Sequence, residues 1–169
     1  MTFKKIFIFG PPGSGKSYWV EEISKKLNIP IYDMDDIRFI KKFSKNRPEE
    51  KRKPLVDKVL KNKKWIIDSK ANDWDRHAML KADIVIWMCA PFYTRAFRIA
   101  KRYLKRRKDS NIKEGISDLF FLINYSWKYR FGRRCTSFNP IKRFLNEHNI
   151  KPVFIKSRRQ MFEFVEGLS

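Results

Sequence analysis

Hydrophobic and polar positions along the chain alternate between short, nearly unbroken apolar runs and longer stretches with helical spacing. Residues 3–9 are almost wholly apolar once past Lys4 and Lys5, the pattern of a strand covered on both faces. A helix is predicted from Lys16 to about Leu27, followed by a short strand near residues 29–32. Residues 33–62 are polar and helical, with a break at Asn46-Arg47-Pro48. Trp65-Ile66-Ile67 reads as a third strand ending at Asp68, and residues 84–88 as a fourth, stopped by Pro91. Two or three basic helices fill residues 92–149, residues 152–155 form a fifth strand, and a last helix runs from about 158 to 167. Strands alternating with helices predict an α/β fold with a parallel sheet.

In such sheets ligands sit beyond the carboxyl ends of the strands. Gly10, Asp33, Asp68 and Ala90-Pro91 all lie at such ends and are expected to converge on one site. Between the first strand and the first helix stands Gly10-Pro11-Pro12-Gly13-Ser14-Gly15-Lys16-Ser17, which satisfies G-x-x-x-x-G-K-[ST]. The glycines let successive N–H groups turn inward as an anion nest, and the following helix adds the positive end of its dipole. Lys16 is expected to reach the β- and γ-phosphates of a nucleoside triphosphate, and the Ser17 hydroxyl to bind magnesium. Gly10, Pro11, Gly13, Ser14, Gly15, Lys16, Ser17 and Tyr18 form the predicted ATP-binding segment. Asp68, a carboxylate at a strand tip downstream of a phosphate loop, is expected to be the acidic partner of that magnesium.

Asp33, Asp35, Asp36 and Arg38 follow the second strand, where small phosphate-loop kinases bind the acceptor. A carboxylate there can take a hydroxyl proton and an arginine can hold an anion, while one aspartate can simply cap the next helix. Asp35 and Arg38 are the predicted acceptor-binding pair.

Charge adds a second theme. With 39 Lys and Arg against 18 Asp and Glu, the net charge is +21, which suits phosphorylated metabolites or nucleic acid as partners. Arg95, Arg98, Arg102 and Arg106 are spaced to share one helix face, with Phe97, Ala100, Tyr103 and Leu104 roughly opposite. Arg130, Arg133 and Arg134 close a helix striped by Ile116, Phe120, Ile123 and Trp127. Arginines of this kind neutralise charge on a transferring phosphoryl group, and they equally serve nucleic-acid backbones. Trp74, Trp127 and Tyr129 fit core positions better than base stacking, and His77 and His148 stand alone. No apolar run reaches the roughly 20 residues a membrane span needs. The two cysteines, Cys89 and Cys135, have no metal-ligand spacing, and a reduced cytoplasmic setting is expected.

Taken together, IFIFGPPGSGKS, IPIYDMDDI, KWIIDSKANDWDRHAMLKADIVIWMCAP, RAFRIAKRYLKRR and VFIKSRRQMFEFV resemble the adenylate kinase-related P-loop kinases, and most nearly the group named DNA topology modulation proteins. The resemblance implies a single P-loop kinase domain over 1–169, a three-layer fold on a five-stranded parallel sheet. It implies an acceptor-binding insertion over about 33–63 and an arginine-rich lid over about 92–149. It implies Mg2+ and ATP as cofactors, with Arg102 or Arg106 and one of Arg130, Arg133 and Arg134 on phosphates, and Arg158 near the adenine. Adenylate kinases follow the strand-three aspartate with Gly-Phe-Pro-Arg, whereas Asp68 is followed by Ser69-Lys70-Ala71-Asn72. The arginine that would hold an AMP phosphate is therefore missing at that spacing, with Lys70 and Arg76 as the candidates to replace it. The expected function is transfer of the ATP γ-phosphoryl group to a small acceptor, with nucleotides among the candidates. The alternative is a nucleic-acid-binding ATPase or a regulatory protein acting on DNA topology.

Overall fold

The structure, a computed structural model, describes residues 3–40, 45–107, 115–129 and 138–168. Five parallel strands, β1 (Lys5–Phe9), β2 (Ile31–Asp33), β3 (Trp65–Ser69), β4 (Ile84–Met88) and β5 (Val153–Ile155), form one sheet in the order β2-β3-β1-β4-β5. Period-two alternation sorts their side chains to two faces. Phe7, Phe9, Trp65, Ile67, Val85 and Trp87 pack on one side, while Ile6, Ile8, Ile66, Ile86, Met88 and Ile155 pack on the other. Helices α1 (Lys16–Leu27) and α7 (Arg158–Glu166) cover the second face through Trp19, Val20, Ile23, Met161 and Val165. The first face is covered by α2 (Met34–Arg38), α3 (Glu49–Leu60), a 3-10 turn at Arg76–Lys81, and α6 (Phe138–Glu147). The result is a three-layer α/β fold, as the alternation of runs predicts.

Boundaries move where side chains intervene. β1 starts at Lys5 rather than residue 3, because the Lys4 and Lys5 N–H groups turn to the Asp83 carboxylate. β2 begins at Ile31 rather than residue 29, because Ile29 belongs to the end of α1. Asn28 takes a left-handed conformation at φ 51°, Ile29 N–H donates to Ser24 O, and Ser24 Oγ donates to Ile29 O. β3 carries on through Asp68 to Ser69, paired with Ile8 and Phe9 of β1.

The aromatic core closes on Trp87. Its ring lies 5.0 Å from Phe9, 4.8 Å from Phe138 and 5.2 Å from Phe154. Its Nε1–H donates to the Tyr129 hydroxyl at 2.9 Å, so Tyr129 and Trp74 are core residues, as their spacing predicts.

Between β4 and β5 lie α4 (Phe92–Arg107), α5 (Ile116–Lys128) and α6. Here the expected apolar faces hold only in part: Tyr103 is buried as expected, and others are not. The buried side of α4 is Arg95, Ile99 and Tyr103, whereas Phe97 is 68% exposed and Leu104 is also open. On α5, Ile116, Phe120 and Trp127 are exposed as well. The reason is Arg95: its Nη1 donates to Ser126 O at 2.9 Å and Ser126 Oγ at 2.8 Å, with Phe92 and Tyr129 flanking the guanidinium. That buried contact joins α4 to α5 and turns Phe97 and Leu104 outward. Among the described residues, no helix is long and apolar enough to cross a membrane.

Candidate functional site

The carboxyl ends of β1, β2 and β3 meet at a single point. Parallel pairing sets Asp33 beside Asp68 on neighbouring strands, and Asp68 beside Ile8, two residues before the Gly10 turn. β1 lies at the centre of the sheet, where the strand order reverses, and its loop opens into the crevice such a switch point creates.

The loop from Gly10 to Ser17 is pressed against the β4 end and α4. A Cβ on Gly10 would lie 2.5 Å from Met88 O, so only glycine fits there. Ser14 N–H donates to Pro11 O at 3.2 Å and tightens the turn. Gly15 takes the N-cap position of α1, no side chain caps that end, and the first turn carries no acid. The positive end of the helix dipole is thus uncompensated. The Ser14 hydroxyl is buried without a hydrogen-bond partner among the described residues. An uncapped helix end, a glycine-shaped cradle and an orphaned hydroxyl fit a phosphate group. Tyr18, on the first turn of α1, is exposed and meets Trp19 edge-on.

Lys16 Nζ donates to Gly10 O at 3.0 Å, and Ser17 Oγ donates to Asp68 Oδ2 at 3.4 Å. Burial pushes the Lys16 ammonium down from its ordinary pKa, and Asp68 works against that shift. Burial pushes the Asp68 carboxyl up, Lys16 opposes it, and Asp33 and Asp35 add to the rise. These groups form one electrostatic unit. Among the described residues, no three His, Cys, Asp or Glu side chains are arranged to hold a metal by themselves. A divalent ion at Ser17 and Asp68 would take its remaining oxygens from phosphate and water, as magnesium does.

Beyond β2 the three aspartates separate. Asp33 caps α2, its Oδ1 accepting from Asp35 N–H at 2.8 Å. Asp35 is paired with Lys70, whose Nζ donates to Oδ1 at 3.0 Å and Oδ2 at 2.8 Å. Asp36 is exposed. Arg38 does not join Asp35: its Nε donates to Asn46 Oδ1 and its guanidinium lies over the Phe39 ring, 5.3 Å from the centroid. That geometry belongs to a small closure in which Phe39 and Asn46 form an antiparallel bridge.

Beyond β3, Asp75 is fully buried. Its Oδ2 accepts from Ser69 Oγ and Asn72 Nδ2, each at 2.8 Å, and Ser69 Oγ in turn accepts from Ala71 N–H. This braces Lys70-Ala71-Asn72, with Ala71 held at φ 57°. Burial pushes the Asp75 carboxyl up from 3.8 to about 7. Its folded pKa exceeds its unfolded one, so the proton is favoured in the fold and stability is lost as pH rises from about 4 to about 7. The full loss is on the order of 4 kcal/mol. In Asp75→Asn that dependence should vanish. The melting temperature of the variant minus that of the parent should climb steadily between pH 4 and pH 7.5. A flat difference across that range would refute the assignment.

Of the arginines, Arg98 reaches the loop, its Nη1 donating to Ser14 O at 2.9 Å and Gly13 O at 3.4 Å. Arg95, expected on the same cationic face, is buried instead. Arg102 is exposed on α4 and Arg106 half-buried one turn later. Arg158 opens α7 directly after β5, at the carboxyl ends of the parallel strands as Gly10 is, and is exposed. Arg130, Arg133, Arg134 and Cys135 lie outside the described residues.

The family described as AAA domain matches residues 6–118, more than half of the chain, from β1 through α4 into α5. The chain belongs to the AAA domain family. Within this AAA domain chain, 104 residues are 31% identical to the uncharacterized protein YqaC of Bacillus subtilis (strain 168). The match covers 61% of this chain and spans 58% of that relative's length. The fold is also that of solved kinases. Shikimate kinase from Bacteroides thetaiotaomicron superposes with a TM-score of 0.58 at 13% identity, covering 99% of this chain and 97% of that one. Shikimate kinase from Acinetobacter baumannii, solved with shikimate, gives 0.58 at 15% identity over 98% and 92% of the two chains. A gluconokinase from Sinorhizobium meliloti 1021 gives 0.56 at 14% identity over 96% and 87%. These likenesses establish the α/β fold with its five-stranded parallel sheet.

Three features of the AAA domain site escape a reading of residues alone. The Lys70–Asp35 pair joins residues 35 apart in sequence. The contact of Arg98 with the loop spans 84 residues. The Ser69–Asp75–Asn72 brace is local, and its signal is the run of short polar residues after a buried strand.

Proposed function

We propose that the chain is an ATP-dependent phosphotransferase, related to the adenylate kinases, that moves the γ-phosphoryl group to a small acceptor. The observation that carries this reading is the meeting of Lys16, Ser17 and Asp68 beside the Asp35–Lys70 pair, at the strand ends where the glycine loop turns. In this reading the loop from Gly10 to Ser17 holds the phosphates through backbone N–H groups, and Lys16 neutralises charge developing on the transferred group. Ser17 and Asp68 hold the metal, and Asp35 faces the acceptor. In this reading Arg102 and Arg106 of α4 serve the phosphates, and Arg158 lies toward the base. Mg2+ held by Ser17 and Asp68 would supply charge neutralisation to the phosphates when bound. The chain's own contribution is positioning and exclusion of water, so no nucleophilic side chain is needed.

The resemblance to adenylate kinase-related proteins supports the reading, and so do fold relatives named for kinases. Its test is metal-dependent binding. Mg-ATP affinity should fall about 10-fold or more in both Ser17→Ala and Asp68→Ala, measured by calorimetry, while metal-free ATP binds the variants much as it binds the parent. Unchanged Mg-ATP affinity in both variants would remove the metal assignment.

One observation supports a second reading, nucleic acid as a partner. Tyr93, Phe97, Phe120, Phe121 and Trp127 are exposed on α4 and α5, and Lys101 and Lys105 are exposed on α4 beside them. Open aromatic faces among cations are the composition that single-stranded sites use.

A further inference from the structure

The missing Gly-Phe-Pro-Arg leaves open what the acceptor is, and the cations around the pocket bear on the question. A phosphate-bearing acceptor is held by guanidinium forks or a comparable set of donors. Among the described residues, four arginines lie in the insertion over about 33–63 and in the stretch after β3, and each is turned to the protein's own carbonyls or rings. Arg38 is held by Asn46 and Phe39. Arg47 donates from Nε to Ile37 O and from Nη2 to Phe39 O. Arg52 donates to Arg47 O at 2.7 Å and lies over Trp74. Arg76 is buried, donates to Ala71 O, pairs with Asp73 and lies over Phe144. Arg76 is thereby ruled out as the substitute for the missing arginine.

Of the two candidates to replace the missing arginine, Lys70 is left, and it is engaged on both oxygens of Asp35. The strand ends around it carry Asp33 and Asp68 as well as Asp35, all within electrostatic reach of Lys16. Asp33 and Asp35, the carboxylates not assigned to the metal, disfavour a phosphate dianion at these strand ends, while they accept hydroxyl protons well. Each Asp35 oxygen keeps a second lone pair after accepting from Lys70, so a substrate hydroxyl can donate to the same carboxylate.

Resting on the phosphotransferase reading above, we infer that the acceptor is a phosphate-free polyhydroxy compound whose reacting hydroxyl donates to Asp35, with Lys70 as the positioning residue for that carboxylate. In the transfer, the acceptor oxygen forms the new bond to the γ-phosphorus and the bond from that phosphorus to the β,γ-bridging oxygen breaks. The hydroxyl proton passes to an Asp35 oxygen and then to solvent, and ADP leaves.

The experiment is coupled ADP release by the full chain with Mg-ATP. One arm offers nucleoside monophosphates, a second neutral hexoses and pentitols, and a third aldonates. A compound of the second or third arm should raise turnover about tenfold or more over ATP hydrolysis alone. With that compound, Asp35→Asn should lower kcat by about 100-fold or more, with the KM for ATP unchanged. Lys70→Met should raise the acceptor KM and lower kcat together, and Lys70→Arg should restore most of both. A retained Mg-ATP thermal shift shows that each variant is folded. Stimulation by nucleoside monophosphates overturns the acceptor class and leaves the phosphotransferase reading standing; full activity in Asp35→Asn with a polyhydroxy acceptor overturns the role given to Asp35 and leaves that reading standing too. Stimulation by none of the three arms overturns both.

Discussion

Lys16→Met should reduce phosphoryl transfer by about 1,000-fold, the scale seen when one preorganised charge is removed from a developing anion. Methionine keeps the unbranched apolar stem and removes the cation, so the loop around it should persist. The ammonium donates to Gly10 O and faces Asp68, at the turn where the uncapped end of α1 begins. Its burial already disfavours the charged form, and phosphate oxygens would reverse that by supplying further negative partners. The loss should therefore appear mainly in kcat, measured by coupled ADP release, with folding followed by circular dichroism. The same variant separates the two readings of the chain. Affinity for a single-stranded oligonucleotide, read at fixed salt, should be unchanged, because the exposed aromatic and basic face lies on α4 and α5. Transfer within about threefold of the parent would sink the role given to Lys16.

Gly13→Ala should abolish measurable Mg-ATP binding and lower the melting temperature. Gly13 sits at φ +77°, where a side chain costs about 1–2 kcal/mol before any contact is counted. A Cβ there would lie 2.5 Å from Arg95 O and 3.1 Å from Arg95 C and Cα. All three are backbone atoms of a helix whose Arg95 side chain is locked to Ser126, so α4 has little room to retreat. Relief must come from the loop, and that breaks the bonds from Arg98 to Gly13 O and Ser14 O and disorders the N–H nest. The nucleotide-induced thermal shift should disappear. Gly167→Ala is the matched control: its Cβ would meet Glu163 O and Phe164 O at 3.6 Å, an ordinary contact, at φ −75°. It should bind Mg-ATP as the parent does. Normal binding by Gly13→Ala would mean that α4 is not packed on the loop as described.

The Gly13 experiment turns on one arrangement, in which α4 serves the phosphate loop from behind through its backbone and Arg98. Coupling between α4 and the loop therefore has a physical route: whatever shifts α4 shifts the two carbonyls that Arg98 holds. Arg95 is the pivot, buried between α4 and α5, with its pKa lowered by burial and supported by Tyr129.

The sheet was legible in the residues because its signal is strong and local. Runs such as Ile6–Phe9 and Ile84–Met88 are apolar on both faces, and only a strand between two helical layers accommodates them. The glycine loop was legible because its backbone angles demand particular residue types at fixed spacing. The helix from Lys16 to Leu27 agrees to the residue, since glycine begins it and Asn28 in a left-handed turn ends it. The faces of α4 and α5 were not legible. Helical periodicity tells which residues share a face, but the choice of which face is buried depends on a partner far away in sequence. Arg95 found Ser126, and that contact outweighed the apolar pattern of Phe97 and Leu104.

By itself, then, the sequence determined the layered α/β architecture, the phosphate loop and the acid at the tip of β3, because each depends on neighbours in the chain. Only the tertiary structure decided the charge pairings beyond β2 and β3. It drew Lys70 onto Asp35, turned Arg38 to Asn46, and buried Arg76. Pairings among long charged side chains are set by which strand ends and loops meet in space, and spacing along a chain carries no record of that.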